Sequence, residues 1–296
     1  MNLDIIFKKV KILIVTFKSH KIIESCIENI NKNFNILVVE NSNDKNFTNH
    51  LDKKYPNVNC INIGYDSGFG SALNRGIKFI DTEYFISINP DSFPEKNCLE
   101  TIINTAINNK NVDLVTPITL IKNGSKEFDD YGYFEKKKEF KNSKNLLSVD
   151  WVNGNVFLAK KKLFEELGYF DENFFLEYDE RDFQRRMYKN KKKILIDFNA
   201  KSHHLLGKSA DQKYAFEMKC EACWHNGWSR YYYYKKHDGF FYSLYMNIPF
   251  AIKNLLKSII WKILGSKNKS KFYKLYFVGF IHSLFNKKST YRAIKD

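Results

Sequence analysis

Over the first hundred positions, apolar residues fall into short β-branched runs separated by stretches with helical spacing. Residues 11–17 and 34–39 read as strands, with a helix over 21–31 between them. Residues 73–80 and 98–108 read as helices on either side of a buried strand, 84–88, which stops at Asn89-Pro90. This alternation predicts an α/β fold of βαβ units on a mostly parallel sheet flanked by helices, with ligands expected at the carboxyl ends of the strands. Residues 123–147, rich in Lys, Asn and Glu, break the pattern and read as a surface excursion. Order returns with an apolar strand over 151–159, interrupted by Gly154, and a helix over 161–167 closed by Gly168.

The pattern changes again near the carboxyl end. Ile252, Leu255, Leu256, Ile259, Ile260 and Ile263 recur at helical spacing while Lys253, Lys257 and Lys262 lie off that face, which predicts an amphipathic helix with a basic side. The longest uncharged stretch there, residues 239–252, has fourteen residues. A bilayer crossing takes about 20, so a span is not expected. Three readings of the segment stay open. It pads the preceding domain, it lies on a membrane surface (which the clustered Lys, Trp261 and the tyrosines suit), or it binds nucleic acid. The last is weakened because the basic residues alternate with Leu, Ile and Phe at core-like spacing, not with stacking aromatics on a sheet.

At 296 residues with 44% hydrophobic content, the chain is large enough for a packed core. Its net charge of +15 is uneven: residues 239–296 hold eleven Lys and Arg against one acid, a net of +10. That segment is therefore read as an extension distinct from residues 1–238. The five cysteines are scattered and odd in number, and no secretory leader precedes the first strand, so a reduced cytosolic setting is expected. Cys220 and Cys223 form a CxxC without a second ligand pair and read as two cysteines on one helix.

Carboxylates of two kinds carry the candidate chemistry. Asp91, in the Asn89-Pro90-Asp91 turn, can sit on a hard divalent cation, while Asp179, Glu180 and Asp182 follow the aromatics Phe174 and Phe175 and can take a proton. Apolar neighbours would make such a carboxylate a better base. Asp182 and Arg186 are spaced to pair along one helix face. Thr16 and Glu40 fall at strand ends, and a carboxylate at position 40 can accept the imide N–H of a uracil or thymine base. Gly64, Gly68, Gly70 and Gly76 allow close backbone approach to a ligand, but the run is neither a Walker loop nor a dinucleotide fingerprint. Read alone, the acidic cluster is a charged helix start and His203-His204 an ordinary loop feature.

In order along the chain, Val15-Thr16-Phe17, Val39-Glu40-Asn41-Ser42, Asn62-Ile63-Gly64, Asn74-Arg75-Gly76 and Asn89-Pro90-Asp91 resemble glycosyltransferase family 2, particularly its rhamnosyltransferase-like bacterial members. The likeness continues through Trp151-Val152-Asn153-Gly154, Gly168-Tyr169-Phe170-Asp171-Glu172, the acidic cluster and Ala200-Lys201-Ser202-His203-His204, and covers residues 11–209. The resemblance implies a GT-A fold, with a catalytic domain over 1–238 and a basic amphipathic extension over 239–296. It implies that Thr16, Glu40, Asn41, Asp66, Asn74, Asn89 and Gly154 bind the nucleotide sugar. Asp91, with His203 beside it, would hold Mg²⁺ or Mn²⁺ on the diphosphate. Glu180 aligns with the base, and Asp179 is the alternative. The activity implied is inverting transfer of a sugar, rhamnose among the candidates, from a dTDP- or UDP-sugar to a polyprenyl-diphosphate-linked glycan. This would belong to surface polysaccharide (O-antigen) synthesis, by a peripheral enzyme on the cytoplasmic face of an anionic cell membrane, with no nucleic-acid partner. A catalytically silent nucleotide-sugar-binding scaffold and a nucleic-acid-binding module are the rival classes.

Overall fold

The computed structural model describes residues 3–121, 131–135, 141–143, 145–205 and 207–294. The chain forms two compact units: one of Met1–Ser67, Ser71–Phe170 and Phe183–Asp211, the other of Gly68–Gly70, Asp171–Asp182 and Gln212–Asp296. The first carries α1 (Leu3–Lys9), β1 (Val10–Thr16), α2 (Ile23–Asn29), β2 (Asn35–Glu40), α3 (Lys45–Lys54) and β3 (Val58–Asn62). Next come α4 (Phe69–Lys78), β4 (Tyr84–Ile88), β5 (Ser92–Pro94), α5 (Cys98–Asn108), β6 (Leu114–Ile121), β7 (Tyr131–Gly132), β8 (Lys141–Ser143) and β9 (Leu146–Val149). Then follow β10 (Trp151–Val152), β11 (Val156–Lys160), α6 (Lys161–Leu167), α7 (Asp179–Lys189) and β12 (Ile194–His204). The first residues of α4 and of α7 fall in the second unit.

One sheet runs β3-β2-β1-β4-β11-β6-β12-β9-β8, with β5 paired to β12. Strands β3, β2, β1 and β4 are mutually parallel, and β11 enters antiparallel between β4 and β6. Ile12, Leu13 and Ile14 in β1 are all fully buried, as are Val38 in β2 and Ile86 in β4. Burial on both faces is what near-continuous apolar runs in parallel strands specify. The chain leaves β1 to form β2 on one side and later β4 on the other, so the carboxyl ends of β1 and β4 form a topological switch point, where open α/β sheets bind their ligands.

Three sequence readings change. The strand expected over 151–159 is two, because β10 pairs with β7 whereas β11 pairs with β4 and β6, and Asn153-Gly154-Asn155 crosses between these sheets. Within the excursion, residues 123–130, 136–140 and 144 lie outside the described residues. Its described remainder includes β8 and β9, which extend the sheet past β12, β9 antiparallel to β12 and β8 antiparallel to β9. Finally, β6 and β12 escaped notice: Pro117 interrupts the first, and the second mixes apolar with polar residues.

The second unit is built on α8 (Ala215–Asp238), α9 (Phe240–Ile263) and α10 (Lys267–Leu284). Two glycines let α8 and α10 touch backbone to backbone. A Cβ on Gly227 would lie 2.1 Å from the Tyr276 carbonyl oxygen, and one on Gly279 would lie 2.0 Å from that of Trp224. Tyr231 of α8, Ala251 of α9 and Phe280 of α10 form the buried apolar contact of the three helices. Cys220 and Cys223 are buried free thiols on α8, and the Cys223 thiol reaches the Phe272 carbonyl at 3.2 Å. In α9 the buried residues are Ser243, Asn247, Ala251 and Ser258, while Ile252, Leu256, Ile259, Ile260 and Ile263 are exposed. Among the described residues no helix is long and apolar enough to cross a membrane.

Candidate active site

At the carboxyl ends of β1 and β2 the parallel register sets Thr16 beside Glu40. The Thr16 hydroxyl donates to one Glu40 oxygen and the Ser42 hydroxyl to the other, both at 2.5 Å. Burial raises the Glu40 pKa, and these two hydroxyls oppose the shift by stabilising the anion. The carboxylate thus orients two hydroxyls and keeps further lone pairs for a ligand donor. Asn41 fastens the next loop: its amide donates to Asp66 at 2.9 Å, and its carbonyl accepts from the Ser67 N–H at 2.9 Å and hydroxyl at 2.7 Å.

Asn74 is tied to the backbone of a later segment. Buried on α4, it donates to the Phe170 carbonyl and accepts from the Phe170 N–H, each at 2.9 Å. Of the residues expected around the nucleotide sugar, this one is brought to the backbone after α6 and makes a reciprocal clamp there.

Beyond β4 the chain makes a turn in which the Ser92 N–H donates to the Asn89 carbonyl at 2.9 Å, with Pro90 at the second position fixing φ. Asp91 is the third residue and is 1% exposed. The β5–β12 ladder opposes Ser92 to His204 and Phe93 to His203. As a result His204 Nε2 lies 3.2 Å from Asp91 Oδ1, while the Lys208 N–H donates to Asp91 Oδ2 at 3.2 Å. The metal expectation joined Asp91 to His203, but the structure brings His203 to Glu95, at 2.9 Å. Strand alternation is the reason: Ala200, Ser202 and His204 are buried along β12, and His203 faces the other way. Gly154 also belongs here, one residue before Asn155, whose carbonyl accepts the Asn89 N–H at 2.9 Å.

The donor set around Asp91 fits a cation shared with a ligand. Asp91 Oδ1 and His204 Nε2, 3.2 Å apart, are an oxygen and a nitrogen donor that together could face one divalent cation. Among the described residues no cluster of three His, Cys, Asp or Glu could make an all-protein cage. Diphosphate and water oxygens would supply the rest, as Mg²⁺ sites commonly require. Buried polar atoms without partners gather along the same turn and strands: Asn89 Oδ1, Ser92 Oγ, Ser202 Oγ and His204 Nδ1. Such atoms are places where a water, an ion or a ligand group can bond.

The acidic cluster opens α7 within the second unit. Glu177 and Tyr178, just before it, both have positive φ, at 66° and 65°. Consecutive non-glycine residues in that region are strained, which is frequent at functional sites. Gly68 of the same unit has φ +84°, and a Cβ there would lie 2.3 Å from the Phe175 carbonyl oxygen, so only glycine fits. Burial pushes the Asp179 carboxyl up to about 6 against backbone N–H groups of Glu180, Asp179 and Gly70, and the Asp182 charge adds to the rise. Burial pushes Glu177 up to about 7, helped by the Asp179 charge. Sequence reading missed Glu177. Glu180, the residue aligned with the base, is half-buried. Asp182 is fully buried and meets Lys236 at 2.7 Å and His237 at 2.8 Å, a structural anchor to α8. Arg186, expected opposite it, donates to the Leu167 and Tyr169 carbonyls at 2.5 and 2.6 Å.

Comparison with known proteins agrees with this architecture. The profile of glycosyl transferase family 2 matches residues 11–168, more than half of the chain, and the protein belongs to that family. A low-salt glycan biosynthesis hexosyltransferase, Agl10, of Haloferax volcanii is 24% identical over 58% of this chain and 59% of its own length. An uncharacterised glycosyltransferase of Rickettsia typhi is 30% identical over 53% of this chain and 50% of its own. The chain thus spans between half and three fifths of these relatives. Among solved structures, the mannosyltransferase PcManGT of Pyrobaculum calidifontis, in complex with GDP-Man and Mn²⁺, aligns over 95% of this chain and 88% of its own with a TM-score of 0.58 at 11% identity. S. aureus TarS 1–349 aligns over 94% and 92% with a TM-score of 0.55 at 13% identity. The fold is therefore GT-A, a mixed α/β sheet flanked by helices and followed by C-terminal helices.

Proposed function

We propose that this family 2 glycosyltransferase is inverting and metal-dependent, and moves a hexose from a dTDP- or UDP-sugar to a lipid-linked glycan at the inner face of a membrane. The observation that carries the reading is the buried Asp91–His204 pair, 3.2 Å apart just past the end of β4, next to the switch point of the sheet. Support for a metal and a nucleotide sugar comes from neighbours of the same fold, one with UDP, GalNAc and Mn²⁺ and one with GDP-Man and Mn²⁺. A glycan as acceptor accords with the Haloferax relative's role in glycan biosynthesis.

In this reading Asp91 and His204 hold Mg²⁺ or Mn²⁺, which when bound offsets the charge growing on the departing diphosphate. Glu40, held by the Thr16 and Ser42 hydroxyls that donate to it, presents acceptors to the nucleotide, and the Asn41-fastened loop with Asp66 borders it. Glu180 takes the proton from the acceptor hydroxyl as that oxygen attacks the anomeric carbon, with Asp179 as the second carboxylate of the pair. Transfer from a panel of dTDP-, UDP- and GDP-sugars with and without Mn²⁺ tests the assignment. Asp91→Ala is expected to abolish transfer in a folded protein. Glu180→Gln is expected to keep donor binding while slowing turnover about a hundredfold or more. Full activity in both variants would remove the mechanism.

A further inference from the structure

Helix α9 is built inside out for a helix of a soluble bundle. Its inward positions, Ser243, Asn247, Ala251 and Ser258, are small and mostly polar. Opposite them at 3.6 residues per turn runs a stripe that begins at Phe241 and continues through Tyr245, Ile248, Ile252, Leu256 and Ile259 to Ile263. Every residue of that stripe is exposed, Tyr245 by 75%, Ile252 by 50%, Leu256 by 54% and Ile263 by 80%. A soluble monomer seldom leaves so long an apolar surface in water.

Charge says what covers it. On the helical wheel Lys253 flanks one side of the stripe and Lys262 the other, where long stems can lie along apolar surface while their ammonium groups reach outward, whereas Lys257 turns toward α10 and sits over the Tyr273 ring. Lys267, Lys269, Lys271 and Lys274 follow at the start of α10, and residues 239–294 contain no acidic side chain. Phe240, Phe241, Tyr242 and Tyr245 at the other end are exposed aromatics of the kind that prefer a headgroup region. A second copy of the chain would oppose this basic patch to itself across a two-fold axis, like charge against like. Nucleic acid would answer the lysines and leave the isoleucines in water.

We propose that α9 lies in the plane of an anionic lipid leaflet, its Phe241–Ile263 stripe among the acyl chains and its flanking lysines on the headgroups. This deepens the membrane setting of the proposed function and rests on that reading for location only, because lipid binding is measured apart from sugar transfer. The helix is about 36 Å long by its rise per residue, but its three lysines suit it to lie on a bilayer and not to cross it.

Flotation of the full chain with vesicles tests the proposal. The protein is expected to float with mixed phosphatidylcholine–phosphatidylglycerol vesicles and much less with phosphatidylcholine alone. Ile252→Ser, Leu256→Ser and Ile259→Ser together, all at exposed positions, are expected to weaken binding about tenfold or more. An environment-sensitive fluorophore on Leu256→Cys is expected to shift to the blue when mixed vesicles are added. Unchanged flotation of the triple variant, or no shift at position 256, overturns the proposal. So does a wild-type dimer that the triple variant dissolves without vesicle binding, or salt-dependent capture of RNA in place of vesicles. Thermal shift with donor sugars separates the two readings. Lost flotation with donor stabilisation intact is expected of the triple variant, whereas floating wild type that no donor stabilises would sink the proposed chemistry and leave the surface standing.

Discussion

Two adjacent histidines differ in what they can do because a strand turns successive side chains to opposite faces. His204 reaches Asp91 and His203 reaches Glu95. Their replacement should therefore separate cleanly. On the proposed site, His204→Ala is expected to raise the Mn²⁺ concentration needed for half-maximal transfer by about tenfold or more, since the site would lose one of its two proposed protein ligands. His203→Ala removes a partly exposed ion pair worth little and should stay near wild type. Equal losses in a metal titration of both variants would show that neither histidine holds the cation. The signal was present in the chain, because Ala200-Lys201-Ser202-His203-His204 alternates small or neutral with polar residues toward a buried His204. Reading the pair from motif position alone passed over that parity.

At the scale of elements, the start of α7 holds carboxyls against their preference for water. Glu177 and Asp179 have pKa values raised to about 7 and about 6, so each favours folding in its neutral form. A carboxyl with a raised folded pKa contributes its full stability below the unfolded value and loses it as pH rises through the folded one. The strain is therefore absent near pH 4 and complete near pH 8, a window set by the values above. Glu177→Gln should be close to neutral at pH 4 and stabilising by about 3 kcal/mol at pH 8, from the size of the shift. Urea titrations of both proteins at the two pH values check this. A difference that does not grow with pH would show that Glu177 is solvated as an ordinary surface carboxylate. Nothing in sequence spacing singles Glu177 out, because its surroundings are set by tertiary packing, with Asn226 of α8, 49 residues away, reaching its carboxylate at 3.5 Å.

For the whole molecule, the basic segment after Gly239 reads in sequence as an appendage, yet α10 packs on α8 through Gly279 and Gly227 with no room for a Cβ. Truncation at Gly239 is thus expected to strip the cover from Trp224 and Tyr231 and to yield protein that binds a hydrophobic dye and melts at lower temperature, where the serine variants of α9 do not. A truncated chain with wild-type melting would make α9 and α10 a true appendage. Sequence by itself determined the parallel strands β1, β2 and β4, the turn at Asn89-Pro90-Asp91, the amphipathic character of α9 and the family, because local periodicity and short motifs are carried by neighbouring residues. Tertiary structure decided which histidine meets Asp91, that Asn74 clamps Phe170, that Glu177 is half-buried and which way α9 faces. Those outcomes depend on pairing between β5 and β12, between Asn74 on α4 and the chain after α6, and among α8, α9 and α10, and a helical wheel shows an apolar face without saying whether protein or lipid will cover it.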